Sequence, residues 1–169
     1  MSQSFLFCHE YLGGVEMTKV GIIVNPEAGK DIRRIVAEAE FISNFTKINV
    51  LKRIVIGLDY AGVDEVILAP DYGGISEAVF ESLKSRVSTS LTMIDMVVKG
   101  TVEDTIRASR LLREEAVDII VSLGGDGTLR AVFKGAGHVA LAHIPLGTNN
   151  ALGAFYEPTT LGMITGLVV

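Results

Sequence analysis

The stretch Val121–Arg130, VSLGGDGTLR, decides how this chain is read. An apolar run, Val117–Leu123, enters two glycines, an aspartate and a third glycine, and a threonine then opens a segment of helical character. A strand that ends in glycines and turns into a helix N-terminus is suited to an anion. The glycines admit close backbone approach, and the first helical N–H groups point outward at the ligand. Asp126 is the unusual element, because a carboxylate repels a phosphate unless it holds a metal ion or takes a proton from an attacking hydroxyl. The competing reading is a tight βα turn in which Asp126 only caps the following helix. Two further motifs favour the anion site.

Upstream, Val20–Val24 is a short, wholly apolar run, as expected of a parallel strand covered on both faces. It leads into Asn25-Pro26-Glu27-Ala28-Gly29-Lys30, a turn followed by Asp31 as a helix cap and by Ile32, Ile35, Val36, Ala39 and Ile42 at helical spacing. Arg33 and Arg34 read as a solvated helix face. Lys30 sits at the carboxyl end of a strand, where open α/β sheets bind ligands. Downstream, Val139–Ile144 is a strand ended by Pro145, and Leu146-Gly147-Thr148-Asn149-Asn150 is a second polar, glycine-containing loop.

The remaining pattern repeats the same step. Val50–Ala61 is an amphipathic helix stopped by Gly62. Val66–Ala69 is a strand, and Asp71-Tyr72-Gly73-Gly74 reads as a plain turn before a helix over Ser76–Lys84. Leu91–Val98 is a strand. Thr101 caps a helix running to about Glu115, with Glu103 and Asp104 in its first turn. Leu129–Lys134 is a short helix stopped by Gly135 and Gly137, and Thr159–Val169 is a last helix. Five β–α steps predict an α/β fold, a three-layer, Rossmann-like parallel sheet of about five strands with helices on both faces. Right-handed crossovers put every βα loop on one edge, so the loops at Asn25, Gly124 and Gly147 share a cleft.

Composition narrows the function classes. The 169 residues, 49% apolar, suffice for one domain with a genuine core. No run of about 18 uncharged apolar residues is present, so no membrane span is expected. A net charge of −5 argues against a general nucleic-acid binder. A single cysteine, Cys8, excludes an internal disulfide framework and any multi-cysteine metal site, and His9, His138 and His143 form no close ligand pair. No metal site is therefore assigned to protein side chains, and a cytoplasmic protein is the default expectation. The sequon Asn44-Phe45-Thr46 carries no weight without a secretion signal. Residues 1–18 read as a poorly structured extension, with Met17 as a candidate natural start, and residues 19–169 as one domain.

The motifs carry a resemblance. GGDGT at Gly124–Thr128 resembles the signature shared by NAD kinases, diacylglycerol and sphingosine kinases and, more distantly, 6-phosphofructokinases. NPEAGK at Asn25–Lys30 and PLGTNNAL at Pro145–Leu152 resemble two further motifs of that superfamily, best preserved in its lipid-kinase branch. Arg130-Ala131, Lys134-Gly135, Glu157, Thr159 and Gly166-Leu167-Val168 make the chain most similar to the AcoX-like, or ATP-NAD kinase-like, proteins. Arg130-Ala131 stand where the lipid kinases usually carry an acid, which speaks against a lipid acceptor.

The resemblance implies a nucleotide-binding domain of kinase type, phosphorylating NAD with ATP and Mg²⁺. Asp126 would activate or orient the accepting hydroxyl, and Gly124, Gly125, Gly127 and Thr128 would lie at the phosphates. Asn25, Gly29 and Lys30 would sit near the donor phosphates, with Gly147, Thr148, Asn149 and Asn150 toward ribose or base. NAD kinases carry a second, β-rich domain that helps build the NAD site, and the sequence to Val169 contains no counterpart. The expectation is accordingly either one domain of a longer protein, inactive without the second domain, or, as the alternative, a non-catalytic, AcoX-like nucleotide-binding accessory protein, with a lipid kinase domain the third reading. Nucleotides are the expected partners, together with self-association through apolar strand edges.

Overall fold

The computed structural model describes residues 17–30, 42–148, 150–152 and 156–169. Five strands, β1 (Lys19–Val24), β2 (Glu65–Leu68), β3 (Ser90–Met93), β4 (Ile119–Gly124) and β5 (Ala140–Pro145), form one parallel sheet in the order β3-β2-β1-β4-β5. Five helices are described: α1 (Asn44–Ala61), α2 (Ile75–Leu83), α3 (Val102–Glu114), α4 (Asp126–Ala136) and α5 (Pro158–Leu167). The predicted α/β sandwich is therefore the observed one. The helix expected over Ile32–Ile42 falls almost wholly on residues outside those described, as does most of the N-terminal extension.

Strand alternation builds two cores. Val20, Ile22 and Val24 of β1 point to one face, against Leu51, Ile54 and Leu58 of α1, Val79 of α2 and Leu161 of α5. Ile23, with Ile67 and Ile120 from the neighbouring strands, points to the other, against Leu112 of α3 and Val132 of α4. Both faces are covered, which is why these strands read as continuous apolar runs.

Two glycine contacts set the helix packing. α1 crosses α5 so closely that a Cβ on Gly57 would lie 2.3 Å from the Thr159 carbonyl oxygen, and one on Gly162 2.3 Å from that of Ile54. On the other face a Cβ on Gly135 would lie 2.3 Å from the Ile106 oxygen of α3. Gly135 is therefore no helix stop. It is a contact residue inside α4, which begins at Asp126, three residues before the expected start, and ends at Gly137 with φ 64°. α1 likewise starts earlier than its apolar spacing predicts, at Asn44. The Ser43 hydroxyl caps it by accepting from the Thr46 N–H at 3.0 Å. β3 is shorter than expected, because β2 offers it only four paired residues, Glu65–Leu68.

This topology positions the site. The chain starts in the middle of the sheet, steps outward to β2 and β3, then returns to place β4 on the other side of β1. The crevice at that reversal, beyond the carboxyl ends of β1 and β4, is where sheets of this type bind ligands. Register brings the loops level: Val24 pairs with Leu123, and Gly124 with Pro145. The ladder continues one step further, with Asn25 N donating to Leu123 O at 2.9 Å and Leu146 N to Gly124 O at 2.7 Å.

Candidate functional site

Three loops meet at the reversal point, and their contacts are specific. The Asn25 amide nitrogen donates to the Thr128 hydroxyl at 2.8 Å, joining the first loop to the GGDGT turn. Gly29, with φ 73°, lets the first loop touch the third: a Cβ there would lie 2.9 Å from the Leu146 oxygen. The GGDGT turn touches the third loop as well, since a Cβ on Gly147 would lie 2.8 Å from the Gly125 Cα. Gly124 is obligatory for a different reason. The Thr128 side chain folds back over it, and a Cβ would fall 2.4 Å from the Thr128 Oγ1. Gly127 has no such neighbour; nothing lies within 4 Å of its added Cβ, which faces the open cleft.

The cleft has a volume of about 540 Å³, within the range of small-molecule sites. Asn25, Gly29, Gly125, Asp126, Gly127 and Thr128 line it, joined by Gly147 and Thr148. Gly124, Lys30 and Asn150 do not. Lys30 pairs with Glu27, Nζ to Oε1 at 3.2 Å. The Glu27 carboxyl is held below the usual range by the Tyr72 hydroxyl first and by Lys30 second. Asn150 clamps its own loop, accepting from Gly147 N at 3.1 Å and donating to Gly147 O at 2.8 Å. Asn149 lies outside the described residues.

Asp126 is the first residue of α4 but does not cap it; Gly125 is the N-cap, without a side-chain bond. Its carboxylate reaches across to the third loop, Oδ2 accepting from Ala151 N at 2.8 Å and Oδ1 from Leu152 N at 3.1 Å. The Ala151 N–H holds its pKa below the ordinary carboxylate value, with Leu152 and the nearby His143 adding to the effect. The capping alternative raised by the sequence is thus not what the side chain does. Thr148 supplies an opposite signal: among the described residues its buried hydroxyl has no hydrogen-bond partner, although it lines the cleft. An orphaned hydroxyl at a cleft wall is a position where a ligand or water completes the bonding.

Sequence reasoning missed one wall. Asp71 and Tyr72 of the loop after β2 and the start of α3 at Thr101, Val102 and Thr105 also line the cleft. The plain-turn reading of Asp71 survives, since its carboxylate accepts from Gly73, Ile75 and Ser76 N–H groups and so caps α2. Its neighbour Tyr72 lines the cleft beside it. The available signal was strand order: β2 adjoins β1, so its loop must stand beside Pro26. Indeed a Cβ on Gly73 would lie 2.6 Å from the Pro26 Cβ.

The chain resembles known proteins over most of its length. The chain is 38% identical over 153 residues to the Acetoin catabolism protein X of Cupriavidus necator, an alignment covering 88% of this chain and 43% of that protein. The chain thus spans less than half the length of this curated relative. The profile of the ATP-NAD kinase N-terminal domain matches residues 20–168. With the motifs in register on one sheet edge, the chain belongs to the NAD kinase-like family of kinase-type nucleotide-binding domains, as its ATP-NAD kinase N-terminal domain.

Proposed function

We propose that residues 19–169 form a nucleotide-binding domain that takes part in ATP-dependent phosphorylation of NAD to NADP. The observation that carries this is the meeting of three glycine-containing loops at the reversal point of the sheet, tied by the Asn25–Thr128 hydrogen bond. The phosphates would lie over Gly127 and the N-terminus of α4, where the backbone is open and the helix dipole favours an anion. Thr148 would donate or accept at the adjoining ribose or phosphate. Gly125 and Gly147 let the two loops approach closely enough for both to touch one ligand.

Mg²⁺ fits this reading as a companion of the nucleotide rather than as a resident ion. Among the described residues no cluster of three His, Cys, Asp or Glu side chains is arranged to hold a metal. Of the carboxylates lining the cleft, Asp71 is committed to capping α2, Asp104 to the start of α3 and Glu27 to Lys30. Asp126 is engaged as well, by the Ala151 and Leu152 N–H groups, but it holds a loop rather than a helix start, and one carboxylate plus substrate phosphates is a common Mg²⁺ environment. When bound, the ion neutralises phosphate charge, and the chain's own part is positioning. Asp126 would exchange its bonds to Ala151 and Leu152 for the accepting hydroxyl or the ion, so the third loop must shift as the site fills.

That same bonding supports a second reading. If Asp126 stays with Ala151 and Leu152, its carboxylate serves the loop and the domain binds nucleotide without transferring phosphate. Incubation with ATP, Mg²⁺ and NAD, followed by an NADP-specific assay, separates the two. NADP formation that is lost in Asp126→Asn supports the kinase. Nucleotide binding without NADP formation supports the accessory role.

A further inference from the structure

Lys47 is the one charged side chain among the described residues with no solvent exposure. It lies in the first turn of α1, where a cation opposes the helix dipole, and burial of its charge is costly as well. Helix stability therefore does not explain it. Its Nζ donates to the carbonyl oxygen of Pro26, the second residue of the NPEAGK loop. The Pro26–Glu27 peptide is planar and trans, so its N–H points away from the lysine. That N–H, on Glu27, donates to the Asn25 side-chain oxygen at 2.9 Å. The Asn25 side-chain nitrogen in turn donates to the Thr128 hydroxyl at 2.8 Å. A continuous chain of hydrogen bonds thus leads from a buried cation, through one rigid peptide and one amide, to the GGDGT turn. A cation at one end polarises each successive bond in such a chain.

We propose that Lys47 is a positioning residue for the phosphate site, fixing the Asn25 amide against Thr128 through the Pro26–Glu27 peptide and placing a buried positive charge behind the loop. The inference rests on the nucleotide reading above and goes beyond it, because Lys47 is not among the residues that line the cleft and reaches it only through the Pro26 carbonyl. It explains why Pro26 is held from both sides, by Lys47 beneath and by the Gly73 backbone beside it. It also explains why Asn25 can offer a fixed amide to a ligand-binding edge although it sits in a turn.

Burial, and secondarily the neighbouring Lys30 charge, lower the Lys47 pKa to about 8, against the opposing pull of Glu27 and Asp71. The other charged groups facing it among the described residues are thus Lys30 and Glu27 on the first loop and Asp71 on the loop after β2. Its cation is present below that pH and lost above it.

The test is a double-mutant cycle on ATP and on inorganic tripolyphosphate affinity, using Lys47→Met, Asn25→Ala and the double variant, with folding checked by circular dichroism. Each single change is expected to weaken both probes by about tenfold, and the double to be no weaker than the worse single. A purely structural lysine would give additive losses, and additivity overturns the inference. A second arm needs no variant. In the wild type, affinity for ATP, whose phosphates are already fully ionised in this range, should fall as pH rises through about 8, while a flat profile there overturns the inference even if Lys47→Met does not fold. Binding of neither probe by the wild type overturns the nucleotide reading and this inference together, whereas intact binding with additive losses overturns this inference alone.

Discussion

The Asn25 side-chain nitrogen stands 2.8 Å from the Thr128 hydroxyl, so a residue just past β1 is bonded to one just past β4, 103 positions later. This bond crosses the reversal point of the sheet and holds the two walls of the cleft at a fixed separation. Thr128→Val keeps the shape and removes the acceptor. It should cost about 1–3 kcal/mol of stability, because a partly buried amide is left unpaired. It should also weaken ATP binding by about tenfold. Urea denaturation and calorimetry read the two quantities separately, and a variant that binds ATP as the wild type does would show the bond to be only structural.

Asp126 ties the third loop to the GGDGT turn through two N–H groups. Asn in its place has one acceptor oxygen, and its amide nitrogen would face a donor. Asp126→Asn should keep the fold, because the side chain is no part of either core, but hydrogen exchange at Ala151 and Leu152 should quicken. Any phosphoryl transfer should drop sharply. Unchanged exchange at both amides would contradict the bonding described.

Gly135 and Gly162 carry the helix crossings on opposite faces of the sheet. Gly135→Ala or Gly162→Ala places a methyl 2.3 Å from a carbonyl oxygen of the facing helix, so one helix must move. Overpacking of this kind costs about 1–3 kcal/mol, more than the gain an alanine brings to a helix interior. Thermal unfolding of each variant measures the balance, and a raised midpoint would mean that the helices are not in contact there.

Glu157 caps α5, accepting from Thr159 N at 3.0 Å and from Thr160 N at 2.7 Å, and it also meets Arg53 of α1. The Thr160 N–H first, then that of Thr159, lower its pKa from 4.5 to about 2. A carboxyl whose folded pKa is depressed stabilises the fold above its unfolded value and loses that contribution as pH falls. The loss should span pH 4.5 to about 2. Acid denaturation should therefore show a stability difference between wild type and Glu157→Gln at pH 6 that closes by pH 2. A constant difference across that window would exclude the carboxylate as its source.

Much of the fold was readable because the central strands β1 and β4, buried on both faces, leave nearly unbroken apolar runs, and five strands alternate with helical periodicity. The three motif loops were readable because parallel strands must end on one edge. What escaped depended on partners distant in sequence. Gly135 has the local signature of a stop, and only the approach of Ile106 on α3 makes it a contact residue. Lys47 sits beside the apolar positions of α1, and its role depends on Pro26, 21 residues earlier. Single-chain periodicity contains none of these pairings.

Gly127 offers the most direct test of the central claim. Its neighbours leave space for a side chain, so nothing in the packing of the free protein calls for a glycine there. Gly127→Ala should fold and be up to about 1 kcal/mol more stable, as alanine is in a helix. Calorimetric titration of wild type and Gly127→Ala with ATP and NAD, with and without Mg²⁺, is the measurement. The account predicts nucleotide binding by the wild type and a loss of about tenfold or more in the variant, whose methyl stands where the phosphates approach. Equal binding by both proteins would place the nucleotide somewhere other than the GGDGT turn, and no binding by either would contradict the proposed site.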